Sequence, residues 1–164
     1  MTIETKLEFK KYLKLMFILS MRKSSMLTTT LIGLIIVLLA VIQTFDPNFK
    51  SDEFPFSLVI FGIVFLLFMP VIIYLNAKSN FSTNGKLKET IVYEFTNEKM
   101  KITGETFSSE MDWSKIYKVL ELKNWILIYQ SKLIANAIPK ESFDDNLESF
   151  KEIVRNKNIK VKFK

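Results

Sequence analysis

Few side chains in this sequence have the types and spacing that catalysis needs. Histidine and cysteine are both absent, which excludes disulfides, Cys or His metal ligands and nucleophiles activated by histidine. Ser108, Ser109 and Ser114 therefore have no histidine base. The adjacent carboxylates Asp144 and Asp145 lie where a helix is predicted to begin, and a favourable charge at that end explains them without catalysis. We predict no enzyme activity, no catalytic residue, no metal and no cofactor.

Two tryptophans are the candidates for contact with a partner. Trp113 and Trp125 lie in segments with strand-like patterns, where aromatic side chains either fill a core or line a ligand groove. Both interpretations are open at this point. The lysines around them alternate with acidic residues, and no aromatic recognition motif accompanies them, so no nucleic-acid partner is predicted.

A second set of candidates is basic and flanks two apolar segments. Lysine and arginine beside a membrane are attracted to anionic lipid headgroups, by about 1 kcal/mol each. The lipid-facing candidates are Lys10, Lys14, Arg22, Lys23, Lys78, Lys86 and Lys88. They predict a membrane partner through its headgroups.

The two apolar segments cover residues 26–45 and 54–75 and contain no charged side chain. About 20 helical residues cross a hydrocarbon core of about 30 Å, so a transmembrane hairpin is predicted. Its short connection, residues 46–53, is acidic, and both outer flanks are basic. The positive-inside rule therefore predicts both termini in the cytoplasm and the loop 46–53 outside. The isolated glycines Gly33 and Gly62 form no GxxxG dimerisation motif.

The N-terminal segment, residues 1–25, is predicted to be a basic amphipathic segment, with a helical pattern over residues 7–23. Phe9, Tyr12, Leu13, Met16 and Phe17 fall on one helical face, and lysines fall on the opposite face. Such a helix either lies in the membrane interface or packs against a cytosolic domain. The sequence leaves both alternatives open.

Residues 76–164 are predicted to form a cytosolic β-rich domain after a polar linker at 76–85. Alternating apolar residues predict strands at 87–95, 100–104, 105–113, 115–122, 125–130 and 133–138. A helix at 143–157, with Ser142 as its N-cap, follows. The tail 158–164 forms either an edge strand or an extension. The predicted fold class is α+β: a transmembrane hairpin, then a small antiparallel β-roll or barrel with a C-terminal helix.

Three segments carry a resemblance to a known family. They read YEFTNEKMKIT, SSEMDWSKIYKVLE and ILIYQSKLIANAIPKESF, and they follow a basic N-terminus and a two-span hairpin. This order resembles the bacterial YcxB-like membrane protein family. The resemblance implies a cytosolic domain of pleckstrin-homology-like (PH-like) type at a bacterial cytoplasmic membrane. The family implies no activity, so it assigns no catalytic residue.

These observations lead to a primary hypothesis and two rivals. The first is a non-enzymatic, membrane-anchored binding module with a protein partner or lipid headgroups as its ligand. The main alternative is a small membrane immunity protein that neutralises a toxin through its spans or the loop 46–53. A subunit of an enzyme or transporter complex is the third. A homo-oligomer is compatible with each, because an exposed strand edge can pair with another chain.

Overall fold

The chain divides into two compact units. A computed structural model describes residues 1–45 and 56–163. The helical unit comprises the described residues of Glu8–Asn84, and the β-rich unit comprises Met1–Leu7 with the described residues from Gly85 onward. The predicted loop 46–53 lies outside the described residues.

The helical unit contains three helices. They are α1 (Phe9–Met21), α2 (Ser24–Gln43) and α3 (Phe56–Thr83). By length and composition, α2 and α3 are each long and apolar enough to cross a membrane. The predicted break at 76–85 is wrong for its first eight positions, because α3 continues to Thr83. Ala77 is buried and the Phe81 ring contacts two rings of α1, so packing maintains a helix through residues that look like a linker.

The glycines Gly33 and Gly62 allow α2 and α3 to pack closely. A methyl group at Gly33 would lie 2.8 Å from Leu66 Cδ2, and one at Gly62 would lie 2.7 Å from Val37 Cγ2. Each glycine therefore receives a side chain of the other helix. Small residues at such contacts are typical of helices that pack within a membrane.

The helix α1 packs on the C-terminal part of α3. The Phe9 ring lies 6.2 Å from the Tyr74 ring and 5.5 Å from the Phe81 ring, measured between centroids. Tyr12 stacks obliquely on Phe81 at 5.6 Å. The predicted apolar face of this helix is thus confirmed for Phe9 and Tyr12, and α3 occupies it.

The β-rich unit contains two four-stranded sheets. The first has the order β1-β2-β3-β4, and the second has the order β7-β6-β5-β8. The strands are β1 (Thr2–Lys6), β2 (Thr90–Phe95), β3 (Lys99–Thr103), β4 (Ser108–Asp112), β5 (Lys118–Glu121), β6 (Trp125–Tyr129), β7 (Ala135–Pro139) and β8 (Lys160–Lys162). All neighbours are antiparallel except β5 and β8, which are parallel. Of the two alternatives for the tail, the edge strand is the one the structure has.

The strand β1 was not predicted; it lies before residues 7–23, where the helical pattern was found. Ile3 and Thr5 are buried while their neighbours are exposed, so the period here is two. Ile3 pairs with Tyr93 and Lys6 pairs with Thr90 on β2. The first strand of the β-rich unit is therefore separated from its partner by the whole helical unit.

The C-terminal helix α4 covers Leu147–Arg155, which is shorter than the predicted 143–157. A 3-10 helix at Lys140–Asn146 precedes it, and Ser142 does not cap it. Phe143 is fully buried with its ring 5.0 Å from that of Phe150. Asp144, next in the chain, has a positive φ of 45°. Burial of Phe143 thus accompanies a kink at Asp144, where a regular helix was predicted.

Asp144→Gly is expected to stabilise the β-rich unit by about 1 kcal/mol, because glycine adopts positive φ without the strain that a side chain adds. Equilibrium unfolding in urea measures the change. Asp145→Gly is the matched control and is expected to stabilise nothing. Equal or lower stability of the Asp144→Gly variant would contradict the strained conformation.

Glu89 connects the start of β2 to the turn between β3 and β4. Its carboxylate accepts hydrogen bonds from the Thr106 hydroxyl at 2.5 Å and the Thr106 N–H at 2.9 Å. The Thr106 hydroxyl, then its N–H, hold the pKa of Glu89 below its usual value. Gly104 is needed here, because a Cβ would lie 2.6 Å from the carboxylate and 2.4 Å from the Phe107 ring.

The lowered pKa of Glu89 predicts a pH dependence. A carboxyl with a depressed pKa in the folded state stabilises the fold above its unfolded pKa, and this contribution disappears as pH falls through the folded pKa. Glu89→Gln is therefore expected to lower stability at neutral pH and to weaken the loss of stability on acidification. Urea unfolding between pH 7 and pH 3 tests this, and parallel pH profiles for the two proteins would contradict it.

The core of the β-rich unit lies between the sheets and α4. Ring contacts connect these layers: Phe95 of β2 lies 4.9 Å from Phe150 of α4 and 6.1 Å from Trp113. The buried apolar residues also include Ile3, Tyr93, Met100, Ile102, Ile116, Val119, Ile126, Ile128, Ile138, Phe143 and Val154. The observed fold is thus α+β: in chain order the helical unit comes between β1 and β2 of the β-rich unit, and α4 covers the core of the β-rich unit.

Candidate functional site

Five of the predicted lipid-facing side chains belong to the helical unit, and all five are exposed. Lys10 and Lys14 lie one turn apart on α1, and Arg22 and Lys23 lie between α1 and α2. Lys78 lies on α3 between Tyr74 and Phe81, the two rings that Phe9 contacts. Lys78 thus belongs to the part of α3 on which α1 packs. These cations can attract anions, but they have no nucleophile or acid–base partner among them.

The other two predicted lipid-facing residues, Lys86 and Lys88, belong to the β-rich unit. The Lys86 ammonium lies 4.9 Å from the centroid of the Phe107 ring, a cation–π distance. Its charge also contributes, after the Thr106 hydrogen bonds, to the lowered pKa of Glu89. Lys86 thus has an internal role in addition to any contact with lipid, and Lys88 is exposed.

Trp113 is a core residue that also lines a pocket. It is buried, and its indole N–H donates a 2.9 Å hydrogen bond to the Thr96 carbonyl. The pocket beside it is lined by Ser114, Asn156, Lys157, Asn158 and Ile159. These side chains offer hydrogen bonds and one positive charge.

Trp125 lies on the face of β6 opposite the core. Because side chains alternate along a strand, Trp125 and Leu127 point away from Ile126 and Ile128, which are core residues. All four are buried. Trp125 is therefore not grouped with Trp113, and the structure places the two tryptophans in different surroundings.

A buried charge cluster on β5 escaped the sequence analysis. Glu121 is only 3% exposed and accepts hydrogen bonds or ion pairs from Lys140 and from Lys151, whose Nζ lies 3.2 Å away. Lys151 also contacts Glu148 at 2.8 Å, and this contact is the main cause of its raised pKa. Lysine and glutamate alternate with apolar residues in any exposed strand, so the sequence carries no signal of this burial.

An exposed apolar turn between β6 and β7 was also missed. Leu133 and Ile134 were predicted to lie in a strand, but β7 begins at Ala135. The Ser131 hydroxyl accepts hydrogen bonds from the N–H groups of Leu133 and Ile134 at 3.3 and 3.1 Å. A serine at the start of a tight turn is the signal that could have revealed it.

No metal centre accompanies these residues in the described part of the chain. Across residues 1–45 and 56–163, no group of three or more Asp or Glu side chains is placed to hold a metal ion. The arrangements described above contain cations, an amide- and hydroxyl-lined pocket and apolar surface.

Comparison with known proteins identifies part of the β-rich unit. Residues 95–154, from the end of β2 into α4, match the family described as YcxB-like protein. Neither the curated proteins nor the solved structures include a significant match to the chain. The two apolar helices lie outside the matched region. The resemblance noted in the sequence is confirmed over residues 95–154, which are similar to the YcxB-like family.

Proposed function

We propose that this protein is a non-enzymatic binding module anchored in a bacterial cytoplasmic membrane. Helices α2 and α3 are the anchor, and the β-rich unit is a PH-like domain at the cytoplasmic face. Its ligands are anionic headgroups and a protein partner. The observation that carries the proposal is the apolar surface of the two helices.

That surface is too large for a helix in water. Leu31, Leu38 and Phe61, for example, are 58%, 56% and 59% exposed. A helix in a soluble protein exposes a polar face instead, and large exposed apolar patches are rare on soluble monomers. A lipid environment satisfies these side chains without another protein.

The connectivity supports a hairpin that enters and leaves the membrane on one side. The helical unit is inserted between β1 and β2, which are neighbours in one sheet. Because Lys6 pairs with Thr90, the chain leaves this sheet and returns to it at the same end. Two membrane crossings meet this requirement, and one crossing does not. The basic flanks favour the cytoplasm for the β-rich unit, with loop 46–53 outside.

The architecture of the β-rich unit supports the PH-like assignment. Seven antiparallel strands, β1 to β7, form two sheets, and α4 follows them in the chain. The fully buried Phe150 and Val154 of α4 close the core. The short parallel strand β8 is an addition at one edge.

Photo-crosslinking in native membranes tests the binding role. The tagged full chain is compared with the tagged helical unit, residues 8–84, after each is shown to be in the membrane fraction. The proposal expects a stoichiometric protein or phospholipid adduct with the full chain that the helical unit lacks. Equal adducts with both would place the function in the two apolar helices and contradict a binding role for the β-rich unit.

A further inference from the structure

The turn between β6 and β7 presents two apolar side chains to solvent. Leu133 is 94% exposed, more than any other large apolar residue that the structure describes, and Ile134 is 62% exposed. In the rest of the β-rich unit, large apolar side chains are mostly in the core. Solvent exposure of two adjacent aliphatic residues at one turn therefore needs an explanation.

Hydrogen bonds hold this turn in place. The Gln130 N–H donates to the Ile134 carbonyl at 2.9 Å, and the Ser131 N–H donates to the same oxygen at 3.3 Å. The Ser131 hydroxyl accepts from the N–H groups of Leu133 and Ile134. The apolar pair thus lies at the end of an ordered hairpin, and it forms a protruding tip rather than the wall of a groove.

Cations and an aromatic ring lie directly behind the tip. At the end of the second sheet, Lys160 pairs with Lys118, and Lys118 pairs with Tyr129. The Lys118 ammonium lies 4.4 Å from the centroid of the Tyr129 ring. Lys132 is exposed within the turn itself. Residues 125–140, which include β6, the turn and β7, contain no aspartate or glutamate.

We infer that Leu133 and Ile134 insert into the headgroup–acyl boundary of an anionic bilayer, with Lys118, Lys132 and Lys160 at the level of the phosphates. Apolar side chains in front, with tyrosine and lysine behind, match the order of layers at a membrane surface. This inference rests on the proposed function in one respect: the two apolar helices keep a bilayer within reach. It adds a membrane contact that belongs to the β-rich unit.

Site-specific fluorescence on the full chain tests the inference. The chain has no cysteine, so Leu133→Cys accepts a single nitrobenzoxadiazole label. The protein is reconstituted in vesicles of phosphatidylglycerol and phosphatidylethanolamine, with and without lipids that carry a doxyl quencher. Lys123→Cys, at the opposite end of β6, is the matched control, and Ile32→Cys in α2 reports on the anchor. Thermal unfolding of each variant checks that the fold is unchanged.

The label at 133 is expected to be blue-shifted and quenched by doxyl lipid, and the label at 123 is expected to be neither. Quenching at 133 should weaken in phosphatidylcholine vesicles and in the variant Lys118→Gln, Lys132→Gln, Lys160→Gln. An unquenched label at 133 overturns the inference, as does a blue shift without quenching, which would indicate a protein surface. Quenching that ignores both the lipid charge and the lysine substitutions also overturns it. Failure of the proposed anchor is distinguishable, because the label at 32 would then be unquenched.

Discussion

A β-rich unit that begins at Gly85 is expected not to fold stably, although it contains the whole region that matches the family. It lacks β1, whose Ile3 is buried in the core and whose five residues pair with β2. Phe95 N–H also donates to the Met1 carbonyl at 2.8 Å, and the Met1 amino group donates to the Phe95 carbonyl at 3.0 Å. Burying one isoleucine stabilises a protein by about 1.5–3 kcal/mol, and each hydrogen bond adds about 1 kcal/mol. Together they approach the 5–15 kcal/mol that stabilises a typical domain.

The matched control restores β1 without the helical unit. Residues 1–7 are joined by a short glycine–serine linker to residues 85–164, which is sterically reasonable because Lys6 and Thr90 are paired. This protein is expected to unfold cooperatively in urea, and the protein without residues 1–7 is expected to show no cooperative transition. Equal stability of the two would contradict the role of β1.

Glu121→Ala is expected to destabilise the β-rich unit by about 3 kcal/mol, because it removes the buried carboxylate of an ion pair and leaves the buried Lys151 ammonium with only the exposed Glu148 as its partner. Glu121 is buried, as is Lys151, and Lys140 is the second cation that it pairs with. These contacts connect β5 with the segment after β7 and with α4. Urea unfolding of the linked β-rich unit, or of the full chain in detergent, measures the loss.

Two further variants distinguish the effect of losing a buried ion pair from the effect of losing any ion pair. Glu110→Ala removes an exposed pair with Lys99 at 2.5 Å, and exposed pairs contribute little to stability, so little change is expected. Glu121→Leu combined with Lys151→Met should recover part of the loss, because it replaces both buried charges with apolar groups, and the remaining Lys140 and Glu148 side chains reach solvent. A small effect of Glu121→Ala, similar to that of Glu110→Ala, would contradict the importance of this cluster.

The sequence predicts the apolar helices and most strands because each of them has a pattern of apolar residues that is visible within its own segment. Uncharged runs predict α2 and α3, and alternation predicts β2, β3, β5 and β6 within a few residues. Alternation also exists in Thr2–Lys6, but the partner strand β2 is more than eighty residues away in the chain, and local pattern carries no information about such pairing. The helix α3 continues to Thr83 because it packs against Phe9 and Tyr12. The intrinsic helix propensity of residues 76–83 gives no information about this packing.

Some residues of the candidate sites can also be predicted from local sequence, and others depend on tertiary structure. The basic positions are recognisable from sequence because charge beside an apolar run has a direct physical meaning. The environments of Trp113 and Trp125 cannot be predicted in this way, because a tryptophan is equally compatible with either face of a strand. The tip at Leu133 and Ile134 depends on a turn that is stabilised by the Ser131 hydroxyl. The apolar pattern of residues 133–138 predicts a strand at this position instead. The burial of Glu121 depends on α4, which begins later than the capping pattern predicts.

Cysteine accessibility in intact cells tests the central claim, an inserted hairpin with the β-rich unit in the cytoplasm, most directly. The chain has no cysteine of its own, so Ser51→Cys and Lys123→Cys each report on one position. A membrane-impermeant maleimide is expected to label position 51 in spheroplasts, and position 123 only after the membrane is opened. Labelling of position 123 in intact spheroplasts, or recovery of the full chain in the soluble fraction, would contradict the account.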